Sequence, residues 1–539
     1  MINKLKILFL ICAMFIAQTV KAQQSNTSLC SEKPKLVLIL LIDNLNNEQL
    51  EIIRTRCGND GFNRIINHGS QFLNAYYDAG GNYSGKNLAT LFTGAPAATH
   101  GIVSETWIDH LTNKKIHAVY GENYQKNDTN RMPQNGLLLC STIGNEIRKI
   151  YNRHAKIMSI GFDPQKLMWA SGVRTAEPTF WFNTRNGEMT YVGYSPDSTN
   201  NWIADFNNKR MPDVFITKYW APKADISTYH EWQYFNSGSQ QRTFYYPLQN
   251  QNPRRDKYSL IPGSPSGNNM IRDFAAWAIV NEGLGKDDIP DLLTVEFSAT
   301  PSCGLKRQPL DAETEDLLMC LDENIASMLK VIDANIGMDN TLVVLTAAQG
   351  CYDVAHTDSD QWKSRGTVSL RRTTALLNLY LMALHGQGQW VRNYSSGAIY
   401  LDRNVANELK ANWDSLLYET TDFLHQVAGI GNAIAAKNLT SIYSDSPIID
   451  VLRRNYNPKR SGDILITLEP GWAEEQDDGS QLTQLWGKES VPLAFYGWKV
   501  PRETFLENHS MTDVAPTICS FIRVNAPNGC SGTLLPIVK

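Results

Sequence analysis

The sequence predicts an α/β fold in which helices cover both faces of a largely parallel central sheet. Parallel strands that are covered on both faces are apolar almost throughout. Four segments fit that description, at residues 35–43, 156–161, 292–297 and 341–346. Residues 312–336 carry apolar side chains at helical spacing, which predicts an amphipathic helix. This alternation of strands and helix favours crossover connections between parallel strands.

The first predicted strand ends in a carboxylate. Residues 35–43 form a nearly continuous apolar run whose last residue is Asp43. In open α/β sheets, ligands bind beyond the carboxyl ends of the strands. The sequence therefore predicts that Asp43 lies at the functional edge of the sheet.

Two long stretches differ from the predicted sheet. Residues 185–265 are rich in Asn, Tyr, Trp, Pro and Ser, and residues 355–460 have a more helical pattern. We interpret both as insertions into a single domain that spans residues 23–539, with a cap over the carboxyl edge of the sheet. The aromatic side chains of the first insertion could line a ligand groove, but a satellite core is favoured. They are Tyr219, Trp220, Tyr229, Trp232, Tyr234, Tyr245 and Tyr246.

The first 22 residues are typical of a signal peptide. Lys4 and Lys6 precede an apolar run at residues 7–20, and residues 20–22 fit a small-x-small cleavage site. The run is shorter than the ~20 residues that a membrane-spanning helix needs. A lipoprotein interpretation would use Cys12, but the residue before it is poorly suited to lipidation. We expect an exported protein of the periplasm or cell envelope, without a transmembrane segment after cleavage.

Composition and charge exclude some classes of protein. Apolar residues are 42% and charged residues 19%, which is ordinary for a folded chain and excludes a mainly disordered one. The formal charge of −4 becomes −7 when residues 1–22, with their three lysines, are removed. The chain therefore has no global basic character, and no nucleic-acid partner is expected. An envelope protein or ligand is the expected partner, and its identity is open.

The chain resembles one family over nearly its whole length. Short segments match, in order, the alkaline phosphatase superfamily, and in particular the exported, phosphate-irrepressible alkaline phosphatases of Bacteroidetes, relatives of the type I phosphodiesterase/nucleotide pyrophosphatases. They are Asp43 and residues 83–87, 91–94, 99–102, 297–300, 345–350, 456–463, 468–472, 491–493, 511–517 and 527–529. The resemblance implies an alkaline-phosphatase-like α/β fold and two-zinc phosphoryl transfer.

The resemblance also implies a set of site residues. In the family, a threonine or serine at a helix N-terminus attacks phosphorus, and six Asp and His side chains hold the two zinc ions. Asp43 matches the ligand on the first strand, and Ser84 occupies the nucleophile position. Serine is chemically adequate there, although it needs a base or a metal to activate it. The alternative is that Ser84 caps a helix.

The other matched positions have lost their ligands. The family motif Thr-Asp-x-x-Gly-His carries Pro301 and Leu305 here, and Thr-Ala-Asp-His-Gly carries Ala348 and Gln349. No histidine lies between His425 and His509, where the last ligand is expected. Proline, leucine and alanine side chains cannot coordinate zinc, and glutamine is a poor ligand. We therefore expect no zinc cofactor.

Further departures concern phosphate and the second metal position. The match places Asn87-Leu88 where the family has a Gly-His pair, Asp163 where it has a cation and Glu105 where it has an asparagine. Carboxylates at those places would repel a phosphate dianion. We interpret the chain as a catalytically degenerate pseudoenzyme that acts in binding or scaffolding. The alternative is a residual or repurposed phosphomonoesterase/phosphodiesterase-type hydrolase that uses Ser84.

Cysteines and a histidine near the lost motifs leave further alternatives. Cys303 and Cys351 could join Asp43 and His356 in a different metal site. A disulfide or two buried thiols is favoured instead, because export permits disulfides. Elsewhere, Cys519 with Cys530 is the candidate disulfide, and His100 is expected to be structural.

Overall fold

The structure is a computed structural model. It describes residues 33–80, 83–122, 124, 133, 136–172, 177–194, 201–230, 243–303, 310–349, 366–395, 397–441, 445–475, 481–482 and 486–538. The predicted signal peptide at residues 1–22 lies outside the described residues. Within these ranges, no helix combines the length and apolar character needed to cross a bilayer.

The described part of the chain contains 22 strands and 15 α-helices. The strands are β1 Leu36–Asp43, β2 Ser70–Gly80, β3 Thr106–Ile108, β4 Lys115–His117, β5 Gly121–Glu122, β6 Ile157–Gly161, β7 Thr179–Asn183, β8 Glu188–Val192, β9 Tyr219–Trp220, β10 Tyr246–Pro247, β11 Asp291–Ser298, β12 Thr341–Thr346, β13 Gly366–Val368, β14 Val391–Ser395, β15 Ala398–Leu401, β16 Ile430–Ala435, β17 Ile464–Leu468, β18 Trp472–Glu475, β19 Gln481–Leu482, β20 Trp486–Ser490, β21 Leu493–Gly497 and β22 Glu503–Ser510. The α-helices are α1 Asn47–Arg54, α2 Phe62–His68, α3 Ser84–Thr93, α4 Ala97–His100, α5 Ile143–Tyr151, α6 Pro164–Ser171, α7 Trp202–Asn208, α8 Met211–Phe215, α9 Pro265–Asn281, α10 Ala312–Asn335, α11 Leu370–His385, α12 Arg403–Glu408, α13 Trp413–His425, α14 Pro447–Asn455 and α15 Val514–Ile522.

The central sheet confirms the predicted fold class. Its order is β20-β2-β21-β12-β1-β11-β6-β7-β8, with β22 paired to β2. The middle strands β12, β1, β11, β6 and β7 run parallel, while β21 and β8 pair antiparallel on either side. The four predicted strands are β1, β6, β11 and β12, and the predicted amphipathic helix is α10. Leu36–Ile42 are buried completely, which is why this segment is apolar throughout.

The first insertion packs on helix α10. Trp220 and Tyr229 are buried, and both donate hydrogen bonds to Asp316, at 2.7 and 2.5 Å. Tyr219 and Tyr245 instead stack on each other at the surface, with ring centroids 4.3 Å apart. The expectation of a satellite core is therefore confirmed for Trp220 and Tyr229 and is wrong for Tyr219 and Tyr245. Trp232 and Tyr234 lie outside the described residues.

The second insertion contains a core of its own. Strands β14-β15-β17-β16 form a four-stranded sheet, and α11 and α13 pack on it. The buried side chains of this module include Leu377, Leu381, Leu416 and Leu424 from the two helices. The division of the chain into one domain with two insertions stays a prediction.

The cysteine expectation needs one correction. Cys519 and Cys530 are both free thiols, so the candidate disulfide between them is wrong for this structure. Cys519 is buried in α15, and burial raises the pKa of its thiol. Cys530 lies beside Gly94, whose φ of 64° favours glycine.

Candidate functional site

Three parallel strands bring the predicted site residues to one edge of the sheet. Asp43 at the end of β1 pairs in register with Ser298 at the end of β11. On the other side of β1, β12 ends at Thr346, and the chain continues into Ala348 and Gln349. The prediction that Asp43 lies at the carboxyl end of a buried parallel strand is confirmed.

The carboxylate of Asp43 faces an ammonium group. Lys166 Nζ lies 2.8 Å from Asp43 Oδ1 and 3.3 Å from Glu296 Oε1. Lys166 comes from α6, which begins directly after β6, and its side chain is largely buried. Burial alone would lower the pKa of Lys166, but Asp43, Glu296 and Asp163 outweigh it and raise that pKa. The lysine is therefore a permanent internal cation.

Glu296 connects this ion pair to the start of α6. The residue lies inside β11, in an otherwise apolar strand, and its carboxylate is buried. Glu296 Oε2 accepts hydrogen bonds from the backbone N–H groups of Phe162 (3.0 Å) and Asp163 (3.2 Å). Asp163 in turn caps α6 by accepting from Gln165 N at 2.9 Å. Burial raises the pKa of both carboxyls, and Lys166 opposes that shift.

Hydrogen bonds of side-chain amides occupy the other half of the site. Asn87 is buried in α3, and its Nδ2 donates to the backbone oxygen of Ala348 at 3.1 Å and to Glu489 Oε2 at 3.0 Å. Gln349 Nε2 donates to Asn44 Oδ1 at 2.6 Å, and Asn44 Nδ2 donates to Thr300 Oγ1 at 2.6 Å. A chain of amide and hydroxyl groups therefore links the segments that follow β1, β11 and β12.

A second buried lysine lies next to Asn87. Lys86 is 2% exposed, and burial lowers its pKa to about 8, although Glu489 and Asp78 oppose the shift. His100 is buried nearby, and burial, Lys86 and Arg460 together lower its pKa to about 3. His100 Nδ1 accepts from Ile102 N, and its Nε2 lies 3.1 Å from Thr90 Oγ1. These bonds support the structural role expected for His100.

Ser84 stands at the start of α3, as the family pattern requires, but it does not cap the helix. The N-cap residue is Tyr83, and no side chain caps this terminus. The helix-capping interpretation of Ser84 is therefore wrong, because the serine already has helical backbone geometry at the first helical position. Its side chain is half-buried. Among the described residues, none makes a hydrogen bond that would mark it as the base for Ser84.

Acidic side chains surround the start of α3. The pKa of Tyr83 is raised well above its usual value by burial and by Asp163 and Glu105. Glu105 is half-exposed, and its Oε1 lies 3.5 Å from Nε2 of the buried His117. Asp163 and Glu105, which the sequence predicts to disfavour phosphate, therefore both lie close to Tyr83, the residue before Ser84.

The residues present do not fit a two-zinc centre. Asp43 already forms an ion pair with Lys166, Pro301 and Ala348 have no donor side chains, and the amide of Gln349 binds Asn44. In the described part of the chain, no three His, Cys, Asp or Glu side chains are arranged to hold a metal ion. Zinc needs three or four protein ligands, and several of those positions are occupied by neutral or internally paired groups.

Part of the predicted site lies outside the described residues. Leu305, Cys351 and His356 belong to that part, so the alternative metal site of Cys303, Cys351, Asp43 and His356 stays untested. The sequence did not predict Lys166, Glu296 or Asn44 as residues of the site. Glu296 is a charged residue within an otherwise apolar predicted strand, and a buried charge requires a partner. Lys166 lies three residues after Asp163, close to a position that the family match had already marked.

Comparisons with known proteins agree with this architecture. A family model described as type I phosphodiesterase / nucleotide pyrophosphatase matches residues 37–497. The chain is 25% identical over 551 residues to alkaline phosphatase PhoV of Synechococcus elongatus, covering 99% of each protein. It is 24% identical over 540 residues to alkaline phosphatase PafA of Elizabethkingia meningoseptica, covering 97% of each.

The fold also matches a solved structure. The crystal structure of wild-type PafA superimposes with a TM-score of 0.84 at 24% identity, over 94% of this chain and 99% of that one. At this identity the likeness establishes a shared fold. The chemistry of the site depends on its own side chains.

Proposed function

The chain belongs to the type I phosphodiesterase / nucleotide pyrophosphatase family, within the alkaline phosphatase superfamily, and from that premise we propose that it is a catalytically degenerate member. It acts by binding or scaffolding rather than by hydrolysing phosphate esters. In this proposal no zinc cofactor is bound, and the partner is an envelope protein or ligand.

The ion pair of Lys166 with Asp43 and Glu296 is the observation that carries the proposal. An ammonium 2.8 Å from Asp43 Oδ1 forms an ion pair with the carboxylate that would otherwise bind a metal cation. A zinc ion at that carboxylate would have to displace a buried lysine whose pKa is raised. Displacement would take Asp43 from the buried lysine and leave it Glu296, and removing one partner of a buried pair costs up to about 3–5 kcal/mol.

The charges near Ser84 support the same proposal. Four carboxyl groups, of Asp43, Asp163, Glu296 and Glu105, lie around Lys166 and Tyr83 among the described residues. Phosphoryl-transfer sites stabilise the equatorial oxygens of the transferred group with cations or metals. An excess of carboxylates disfavours both the binding of a phosphate dianion and the transition state.

One observation favours a second candidate function, residual hydrolysis by Ser84. The serine remains half-buried at the N-terminus of α3, where backbone N–H groups and the helix dipole favour an anion. A serine at that position still needs a base or a metal to become a nucleophile. The neighbouring Lys86 is buried beside Asn87 and Glu489, which makes it a poor candidate for the base.

Metal analysis and turnover on the same preparation test the proposal. We expect the purified protein to contain substoichiometric zinc and to hydrolyse phosphomonoesters and phosphodiesters no faster than its Ser84→Ala variant. PafA of Elizabethkingia meningoseptica, prepared and assayed in parallel, is the positive control. Stoichiometric zinc together with turnover that Ser84→Ala abolishes would overturn the proposal. Turnover without zinc that Ser84→Ala abolishes would support residual hydrolysis instead.

Export to the periplasm or envelope is part of the proposal. Its support is the pattern of residues 1–22, with two lysines, an apolar run and a small-x-small site. We expect the mature protein to begin at Gln23, which intact-mass measurement on the envelope fraction will test. An unprocessed chain in the cytoplasmic fraction would contradict export and leave the assignment of the site unaffected.

A further inference from the structure

We infer that the outer face of helices α11 and α13 is a self-association surface, on which a second copy of this chain docks. The two helices belong to the second insertion, far along the sequence from Asp43 and Ser84. Their inner faces cover the four-stranded sheet of that module. This surface is independent of the proposed function.

The two helices lie side by side and antiparallel. The Tyr380 and Phe423 rings stack with centroids 5.1 Å apart, and His385 pairs with Glu419. Residue numbers therefore rise along α11 while they fall along α13. Because Leu377, Leu381, Leu416 and Leu424 point into the core, the opposite faces of both helices share one outer surface.

That outer surface carries large apolar side chains. On α11, Leu376 is 58% exposed and Leu379 is 60% exposed, and Tyr418 on α13 is 72% exposed. Alanines at positions 375 and 383 extend the apolar strip on α11. Single exposed apolar residues need no explanation, but Leu376 and Leu379 are three residues apart on one face of α11, with Ala375 and Ala383 beside them, and apolar residues grouped in this way favour an interaction surface. Folding of the single chain leaves these side chains in water.

The charges of the same surface favour a second copy as the occupant. Helix α11 contains Arg371 and Arg372 and no acidic residue, whereas α13 contains Asp414, Glu419 and Asp422 and no Lys or Arg. Glu419 pairs with His385 and Asp414 with Lys437. Arg372 and Asp422 remain exposed on the outer surface.

A two-fold axis makes this charge pattern self-complementary. An isologous interface uses the same patch on both copies. The basic helix α11 of one copy can therefore face the acidic helix α13 of the other copy. An axis that crosses the strip of Leu376 and Leu379 allows Arg372 of each copy to approach Asp422 of the other. The leucines then lie at the centre of the contact, and the charges lie at its rim.

The size of the surface predicts a weak dimer. Sixteen residues make α11 about 24 Å long, and two adjacent helices are about 20 Å wide. That face is smaller than the ~800 Å² per partner of a standard stable interface. We therefore expect reversible association with a Kd of about 10–100 μM.

Sedimentation velocity on the full mature chain tests the inference. Between about 1 and 200 μM, we expect the wild-type sedimentation coefficient to rise from that of a monomer toward that of a dimer. Leu376→Glu should weaken association at least ~10-fold, because it places a carboxylate at the centre of the contact. The matched control is Leu506→Glu, on the exposed strand β22, which should dimerise as wild type does.

A charge exchange provides the decisive arm. Arg372→Asp alone and Asp422→Arg alone should each weaken the dimer, whereas the double variant should restore it. Circular dichroism and thermal melting confirm that each variant is folded. A wild-type chain that stays monomeric at 200 μM overturns the inference. Loss of the dimer in Leu506→Glu, or flotation of the monomer with anionic lipid vesicles that Leu376→Glu abolishes, also overturns it.

Discussion

The two buried lysines of the site differ in what surrounds them. Lys166 lies against Asp43 and Glu296, and the carboxylates keep its pKa above the usual range. Lys86 is buried near Glu489 and Asp78, and burial lowers its pKa to about 8 although both carboxylates oppose the shift. Lys166 pairs with the predicted ligand Asp43, whereas Lys86 precedes Asn87, which binds the backbone of Ala348.

The difference shows two ways in which a cation site can be filled. Where a family carboxylate survives, as at Asp43, an ammonium from α6 neutralises it. Where the ligands are replaced by Ala348 and Gln349, neutral amide hydrogen bonds join the strand ends. The first solution retains charge and depends on a buried pair. The second depends on hydrogen bonds that each contribute about 1 kcal/mol.

Lys166→Met should have the largest effect. It leaves the carboxylates of Asp43 and Glu296 without their cation, and breaking a buried pair costs about 3–5 kcal/mol of unfolding free energy. Urea denaturation at pH 7 measures that loss. The double variant Asp43→Asn with Lys166→Met should recover part of it, because one uncompensated charge is removed.

The matched control is Lys330→Met, at an exposed ion pair whose atoms are 3.9 Å apart. This change should cost less than about 1 kcal/mol. A Lys166→Met protein as stable as the control would show that the ammonium is not the counter-ion of Asp43.

Lys86 should make stability depend on pH in the alkaline range. Burial lowers its pKa from 10.5 to about 8 in the folded chain. Between these values the unfolded chain keeps the proton that the folded chain has lost, so unfolding takes up a proton and stability rises with pH. Relative to Lys86→Met, the unfolding free energy of the wild type should increase by up to ~3 kcal/mol between pH 8 and 10.5.

Urea unfolding of both proteins at several pH values gives this difference, and the other titrating groups cancel. If the difference in unfolding free energy stayed constant across this pH range, the pKa of Lys86 would not be lowered in the folded chain. A difference that falls with pH would mean that carboxylates dominate here, as they do at Lys166.

Asn87→Ala tests the side-chain amide hydrogen bonds of the site, and its expected effect on stability is smaller. It removes the donor to Ala348 O and Glu489 Oε2, and an unsatisfied buried acceptor costs about 1–3 kcal/mol. Thermal and urea unfolding measure the loss. The control is Asn186→Ala, whose amide bonds only the exposed Glu188. If the two variants were equally stable, the amide bridge would not be what joins α3 to the segment after β12.

Chelation should have no measurable effect. If Lys166 supplies the cation of the site, treatment with a divalent-metal chelator should leave the melting temperature within about 1 °C. Proteins stabilised by a tightly bound metal lose several kcal/mol under the same treatment. Parallel melting of PafA gives the comparison. A large fall in the melting temperature of this chain would mean that it holds a stabilising metal at another site.

The sequence by itself determined the framework and predicted the positions at which metal ligands are replaced. The apolar run ending at Asp43, the helix at residues 312–336 and the order of the family segments were sufficient for the sheet, because buried parallel strands and amphipathic helices have strong local patterns. The replacements at Pro301, Ala348 and Gln349 were likewise visible, since coordination depends on residue type.

Only the tertiary structure decided what took the place of those ligands. Lys166 and Glu296 are 130 positions apart and meet because β6, β11 and β1 are neighbours in the sheet, which no local pattern reports. The same holds for Asn87, which the sequence placed only within the segment that replaces the family's Gly-His pair and which the structure shows as a bridge to Ala348. Ion pairs and hydrogen bonds between distant segments depend on register and distance, and those are properties of the folded chain.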